Sequence, residues 1–114
     1  MMITRLKVKI TDTAFPKMME IPVNKRVTLG RSDIDAPLVS PDIDFVACNA
    51  IANGISRSHA AIDPQSDGKF ALIDLGSRNG TMLNGHKLNA HQPYIVADGD
   101  EIYIGNLRMT IYFE

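Results

Sequence analysis

A chain of 114 residues, 45% of them hydrophobic, has the size and apolar content of one domain around a single core. Its formal net charge of −1 argues against a protein whose main partner is a nucleic-acid backbone, which calls for a basic stripe along a whole face. The lone cysteine, Cys48, has no intramolecular disulfide partner, and no Cys/His spacing suits zinc, so a reducing, cytoplasmic setting is expected. No apolar stretch approaches the roughly 18 residues of a membrane span, and the start Met1-Met2-Ile3-Thr4-Arg5 lacks the apolar run of a signal peptide, so a soluble chain is expected. With no Trp and few aromatics, the core is expected to be aliphatic.

Strand patterns begin at the N-terminus. Leu6, Val8 and Ile10 alternate with Arg5, Lys7 and Lys9, the period of a strand with one face in a core and one in water. Met19 to Val23 and Val27 to Leu29 follow. Residues 33 to 55 then break the rhythm with Pro37, Pro41 and several aspartates before an Ala-rich run from Asp44 to Gly54. That run suits a helical turn or two with Gly54 as its stop, but it is too short to be stable without tertiary support, and the segment reads as an ordered loop. Strands resume at Ser58 to Ile62 and Phe70 to Leu75.

Asn84-Gly85 predicts a type I′ turn, since both residues tolerate positive φ, so Thr81-Met82-Leu83 should pair with His86-Lys87-Leu88. Ile102 to Ile104 forms a further strand, and Leu107, Met109, Ile111 and Phe113 alternate with Arg108, Thr110, Tyr112 and Glu114 in the last. Turn signals at Asp67-Gly68, Asn79-Gly80 and Asp98-Gly99 separate the runs. Many short strands punctuated this way predict a β-sandwich or barrel.

Three loop segments between these strands carry arginine: Gly30-Arg31-Ser32, Ser56-Arg57-Ser58-His59 and Leu75-Gly76-Ser77-Arg78-Asn79-Gly80-Thr81. Each offers a guanidinium, small hydroxyl or amide side chains and loop N–H groups, the inventory an anion needs. Phosphate carries close to two charges and three strong acceptor oxygens, and the planar fork of Arg matches it. A single loop Arg is ordinarily a solvated surface charge; three such loops with matching neighbours favour an anion-binding role instead. His59 has no legible Ser/His/Asp or Cys/His partner set for acid–base chemistry. No Gly cluster opens a helix as a nucleotide-binding phosphate loop requires. Asp98-Gly99-Asp100 falls short of a calcium loop, and Cys48 reads as a small hydrophobe.

These blocks, with Asn84-Gly85 and Asp98-Gly99-Asp100-Glu101-Ile102-Tyr103-Ile104-Gly105 after them, resemble a forkhead-associated (FHA) domain in order and spacing over about residues 5 to 113, making 1–114 a single FHA domain. The resemblance implies an all-β sandwich of two twisted, mainly antiparallel sheets, with chain ends together and phosphothreonine-binding loops at the opposite end. It implies a non-catalytic phosphopeptide reader in Ser/Thr kinase signalling, without metal or cofactor. Its partner is expected to be a phosphothreonine-containing protein, such as a Ser/Thr kinase or its substrate, and a monomer is the default state.

On the family's pattern Arg31 and Ser56 hold the phosphate, Asn79 binds the peptide main chain, and Arg57 and Arg78 occupy variable positions suited to an anion. Gly30, His59, Gly80, Asn84 and Gly85 fall on positions that support the loops. The long interval between Arg31 and Ser56, ending in Gly-x-Ser-Arg-x-His, resembles a variant of bacterial members, and its extra loop is expected to bear on ligand selectivity. The rival functions are a phosphate-independent scaffold or self-association module on the same fold, and an enzyme or metal-binding sandwich, for which no convergent carboxylate or histidine cluster is legible.

Overall fold

In the computed structural model, residues 2–11 and 17–114 are described. The strands are β1 (Arg5–Ile10), β2 (Lys17–Pro22), β3 (Val27–Gly30), β4 (Ile43–Asp44), β5 (Ser58–Pro64), β6 (Phe70–Asp74), β7 (Thr81–Leu83), β8 (His86–Lys87), β9 (Tyr94–Val96), β10 (Glu101–Ile104) and β11 (Leu107–Phe113). They form a six-stranded sheet in the order β2-β1-β11-β10-β7-β8 and a five-stranded sheet in the order β4-β3-β5-β6-β9. Every pairing is antiparallel except β3 with β4. No helix among the described residues is long and apolar enough to cross a membrane.

Alternation drives the first sheet. Leu6, Val8 and Ile10 are buried and face Phe113, Ile111 and Met109 across the ladder, so the inward side chains of β1 and β11 fall into one register. A slip of one residue would turn that whole set into water. In the second sheet β5 is buried continuously from His59 to Ile62, and small Ala60 and Ala61 occupy its centre. Phe70 of β6 stacks on Phe113 of β11 with ring centroids 4.6 Å apart, tying one sheet to the other. The core is largely aliphatic as expected, with the fully buried Phe45 as the main departure.

Two strands escaped the sequence patterns. Two-residue β4 shows no periodicity, and β9 forms only through its pairing with β6. Residues 33–55 form an ordered loop holding one short 3-10 turn, Val46–Cys48, after which Asn49 turns left-handed. Gly54, expected as a helix stop, has a φ of 72° within a run of turns. Ile43, Phe45, Cys48, Ala50 and Ile55 point from this segment into the core. Burial pushes the Cys48 thiol pKa up, in keeping with its reading as a small hydrophobe.

The strand directions fix the two ends of the sandwich. Thr4 N–H donates to the Glu114 carbonyl at 2.7 Å and Glu114 N–H to that of Arg5 at 3.0 Å, so the chain ends meet. At the other end of β1 and β11 lies the β10–β11 turn, where Asn106 N–H donates to the Asn53 carbonyl at 2.8 Å.

Candidate functional site

The three arginine-bearing segments converge at the end of the sandwich remote from the chain termini. The first two are drawn together by Gly30. A Cβ there would stand 1.8 Å from the Arg57 carbonyl oxygen, so only glycine permits the approach. Arg31 N–H donates to that same carbonyl at 3.2 Å.

His59 joins the second segment to the third. Its Nδ1 accepts the Ser56 N–H at 3.0 Å, which leaves the proton on Nε2, and Nε2 donates to the Gly80 carbonyl at 2.8 Å. Burial pushes its pKa down, against the opposing pull of the Gly80 carbonyl and the Asp74 charge, so the ring is the neutral tautomer that both bonds require. With both nitrogens engaged by backbone, His59 braces the loops.

The third segment is organised by a buried carboxylate. Asp74 accepts from the N–H groups of Gly76 and Ser77, each at 3.1 Å, from the Ser77 hydroxyl, and from Thr81 Oγ1 at 2.7 Å. Burial alone would raise its pKa; the hydrogen bonds from Ser77, Thr81 and Gly76 outweigh it and hold the pKa low. Gly80 N–H donates in turn to Ser77 Oγ. Asp74, Ser77 and Thr81 lay within the family-like block of the sequence, yet their role as the loop's internal frame emerges only from geometry.

On this frame Arg31, Ser56, Arg78 and Asn79 line a depression of about 170 Å3 together with Ile51, Gly54 and Ile55. Arg31 Nε donates to the Ile55 carbonyl at 2.8 Å, which orients the guanidinium. Ser56 Oγ accepts the Arg78 N–H at 3.1 Å, leaving the hydroxyl proton to donate elsewhere. Asn79 Nδ2 donates to the Gly54 carbonyl at 2.9 Å, which leaves its Oδ1 as an acceptor for a peptide N–H. The result is a shallow basin with cationic and hydroxyl donors on its wall and an amide at its rim. Arg57 stands beside it, its Nε donating to Asp33 at 2.8 Å. Larger depressions lie beside Lys7, Lys9 and Met18, about 400 Å3, and near the N-terminus at Ile3 and Arg5, about 520 Å3, away from the arginine loops.

Asn84 and Gly85 sit elsewhere. Their φ values of 48° and 85° make the predicted tight turn between β7 and β8, and Asn84 Oδ1 accepts the Glu101 N–H at 2.9 Å. They fasten the far end of β7 to β10, so any effect on the binding loops passes through those strands. Gly80 contacts the loops directly. The sequence reading passed over Asp33, Ile51 and the carbonyls of Gly54 and Ile55. All belong to the long β3–β5 connection, where no periodic signal marks an inward or outward face.

The model of the FHA domain family matches residues 27–105, a span that contains every residue of the basin. The chain belongs to the FHA family. It is 40% identical over 56 residues to the oxoglutarate dehydrogenase inhibitor of Corynebacterium diphtheriae, covering 49% of this chain and 36% of that one. It is 32% identical over 81 residues to the glycogen accumulation regulator GarA of Mycolicibacterium smegmatis, covering 68% and 47%. This FHA domain thus spans less than half the length of these two relatives. The N-terminal FHA domain of S. cerevisiae Rad53p, solved in complex with a phosphothreonine peptide, superposes with a TM-score of 0.75 at 24% identity, covering 96% of this chain and 93% of that one. At that identity the likeness is one of fold.

Proposed function

We propose that this FHA domain is a phosphothreonine-dependent protein–protein interaction module that binds its ligand without chemical change. The observation that carries the reading is the convergence of Arg31, the Ser56 hydroxyl, Arg78 and Asn79 on one basin. Arg31 supplies the fork for the phosphate, the Ser56 hydroxyl donates a second bond, and Arg78 adds charge at the rim. Asn79 holds the peptide main chain through its free Oδ1. The 1–114 segment acts as a single domain, and its partner is a phosphothreonine-bearing protein of Ser/Thr kinase signalling, met in the cytoplasm where Cys48 stays reduced. The Rad53p domain, solved with such a peptide, supports the choice of ligand.

Charge-assisted hydrogen bonds contribute about 1.5–3 kcal/mol each. A few of them, less the cost of ordering a flexible peptide, give micromolar affinity, about −8 kcal/mol. The test is calorimetric titration with a degenerate phosphothreonine peptide library beside its unphosphorylated twin. Only the phosphorylated pool should bind. Arg31→Ala should weaken it at least about 100-fold, roughly 2.7 kcal/mol, with the fold retained, because the partly buried side chain gives up only its bonds to the Ile55 carbonyl and to Asp33. Equal binding of both pools would point instead to a phosphate-independent assembly module, and undiminished binding by folded Arg31→Ala would remove the phosphate site.

A further inference from the structure

The cations around the basin are not equally available. Asp33 Oδ2 accepts from Arg57 Nε at 2.8 Å and from Arg31 Nη1 at 3.3 Å, so one carboxylate bridges the first and second arginine segments. Its Oδ1 accepts the Asp35 N–H at 2.9 Å, which fixes the carboxylate as an Asx turn fixes its own loop. The Asp33 side chain is only 17% exposed, and Arg31 is similarly covered at 19%, whereas Arg57 is 49% exposed. Among the described residues no ion pair engages Arg78. The free protein thus already holds an anion of its own against two of its three loop arginines.

We propose that Asp33 is a specificity-determining residue: an internal carboxylate that occupies Arg57 and part of Arg31, so that a ligand carboxylate is rejected and a phosphate is admitted. The inference rests on the phosphothreonine reading above. A ligand Asp or Glu brings one charge, no more than Asp33 already sets against these guanidiniums. Exchanging one for the other gains nothing, while the ligand must still meet the entropic cost of association that the tethered Asp33 avoids. Phosphate brings nearly twice the charge and a third oxygen, so its exchange for Asp33 at Arg57 is favourable. Discrimination is a difference of affinities, and an internal anion that only the stronger ligand anion displaces is one way to enlarge it.

Three peptides of one sequence separate the outcomes in calorimetric titration: phosphothreonine, glutamate or threonine at the same position. The wild type should bind the first alone. Asp33→Asn removes the charge and keeps a carbonyl acceptor; it should tighten the phosphopeptide 3- to 10-fold and raise the glutamate peptide's affinity by more, into the measurable range. Asp33→Ala provides a second variant should the first fold poorly. The unaltered protein gives an independent readout, because the Arg57 Nε–H resonance should move on saturation with the phosphopeptide and stay put with the glutamate peptide. Phosphopeptide binding that is unchanged or weaker in the folded variants, with the glutamate peptide still silent, would make Asp33 a mere orienter of the arginines and overturn the inference. Failure of the wild type to bind any phosphopeptide would overturn the phosphothreonine reading and this inference with it.

Discussion

The two long loops that flank the basin are built by opposite means. The β6–β7 loop, residues 75–80, is framed from within by bonds of short sequence range to one buried carboxylate, Asp74. The 33–55 segment borrows its order from the sandwich: five apolar side chains enter the core. Three of its aspartates bond to β3 and the residues just after it. Asp42 accepts Thr28 N–H and hydroxyl, Asp44 accepts Ser32 N–H, and Asp33 holds Arg31. The first loop's frame runs from Asp74 at the end of β6 to Thr81 at the start of β7 and is set by those two strand ends; a loop anchored by core contacts keeps its shape only while the core is intact. The first therefore suits fixed, shared chemistry, and the second leaves room for change at its exposed tip.

The largest break in this comparison comes at Phe45. It is fully buried and anchors the middle of the 33–55 segment, so Phe45→Ala removes a ring from a close-packed site and should cost about 3–5 kcal/mol. Urea unfolding would read the loss. Phosphopeptide affinity should fall with it, because Ile51, Gly54, Ile55 and the Asp33 bridge hang on this anchor, while the NMR signature of the β7–β8 turn stays native in the folded fraction. A loss under about 1 kcal/mol would mean that the segment is held by its aspartates rather than by its apolar anchors.

Asp74 is the matching test on the other loop. Asp74→Ala strands the donors of Gly76, Ser77 and Thr81 in a site only 4% exposed, and should cost about 2–3 kcal/mol. The folded pKa of Asp74 lies below its unfolded value of about 3.9. Its stabilisation is therefore complete above that pH and is lost as pH falls through the folded value. Asp33 and Asp44 are shifted the same way. The variant should accordingly show a shallower, not a flat, acid limb in stability against pH below about 4. An unchanged acid limb would remove Asp74 from the frame.

The same contrast explains what the sequence made legible. Alternation in β1 and β11 exposed the core face, and Asn84-Gly85 exposed a hairpin, because in both the signal lies within a few residues. Arg31, Ser56, Arg78 and Asn79, which line one depression, were legible through their order and spacing in the family-like blocks, as was Arg57 beside it. Asp33 was not, since an aspartate after an arginine reads as a solvated charge until the fold brings Arg57 alongside. Nor were β4 and β9, which exist only as partners of β3 and β6. Phe45 and Ile51 occur in one apolar stretch, yet one is fully buried and the other 77% exposed; the irregular backbone between them has no period to separate the two.

Leu38 sharpens the comparison at its smallest scale. It belongs to the same segment as Phe45 but is 98% exposed and, with Val39, Pro41 and Arg57, lines a separate depression of about 270 Å3. Removing an apolar side chain that water already surrounds forfeits almost no burial, so Leu38→Ser should change unfolding free energy by no more than about 0.5 kcal/mol. Thermal and urea unfolding of the two variants side by side then measure how steeply the segment passes from anchor to surface. A loss at Leu38 approaching that at Phe45 would mean that the tip is packed in solution, and that the 33–55 segment is a second small core instead of a loop hung on the first.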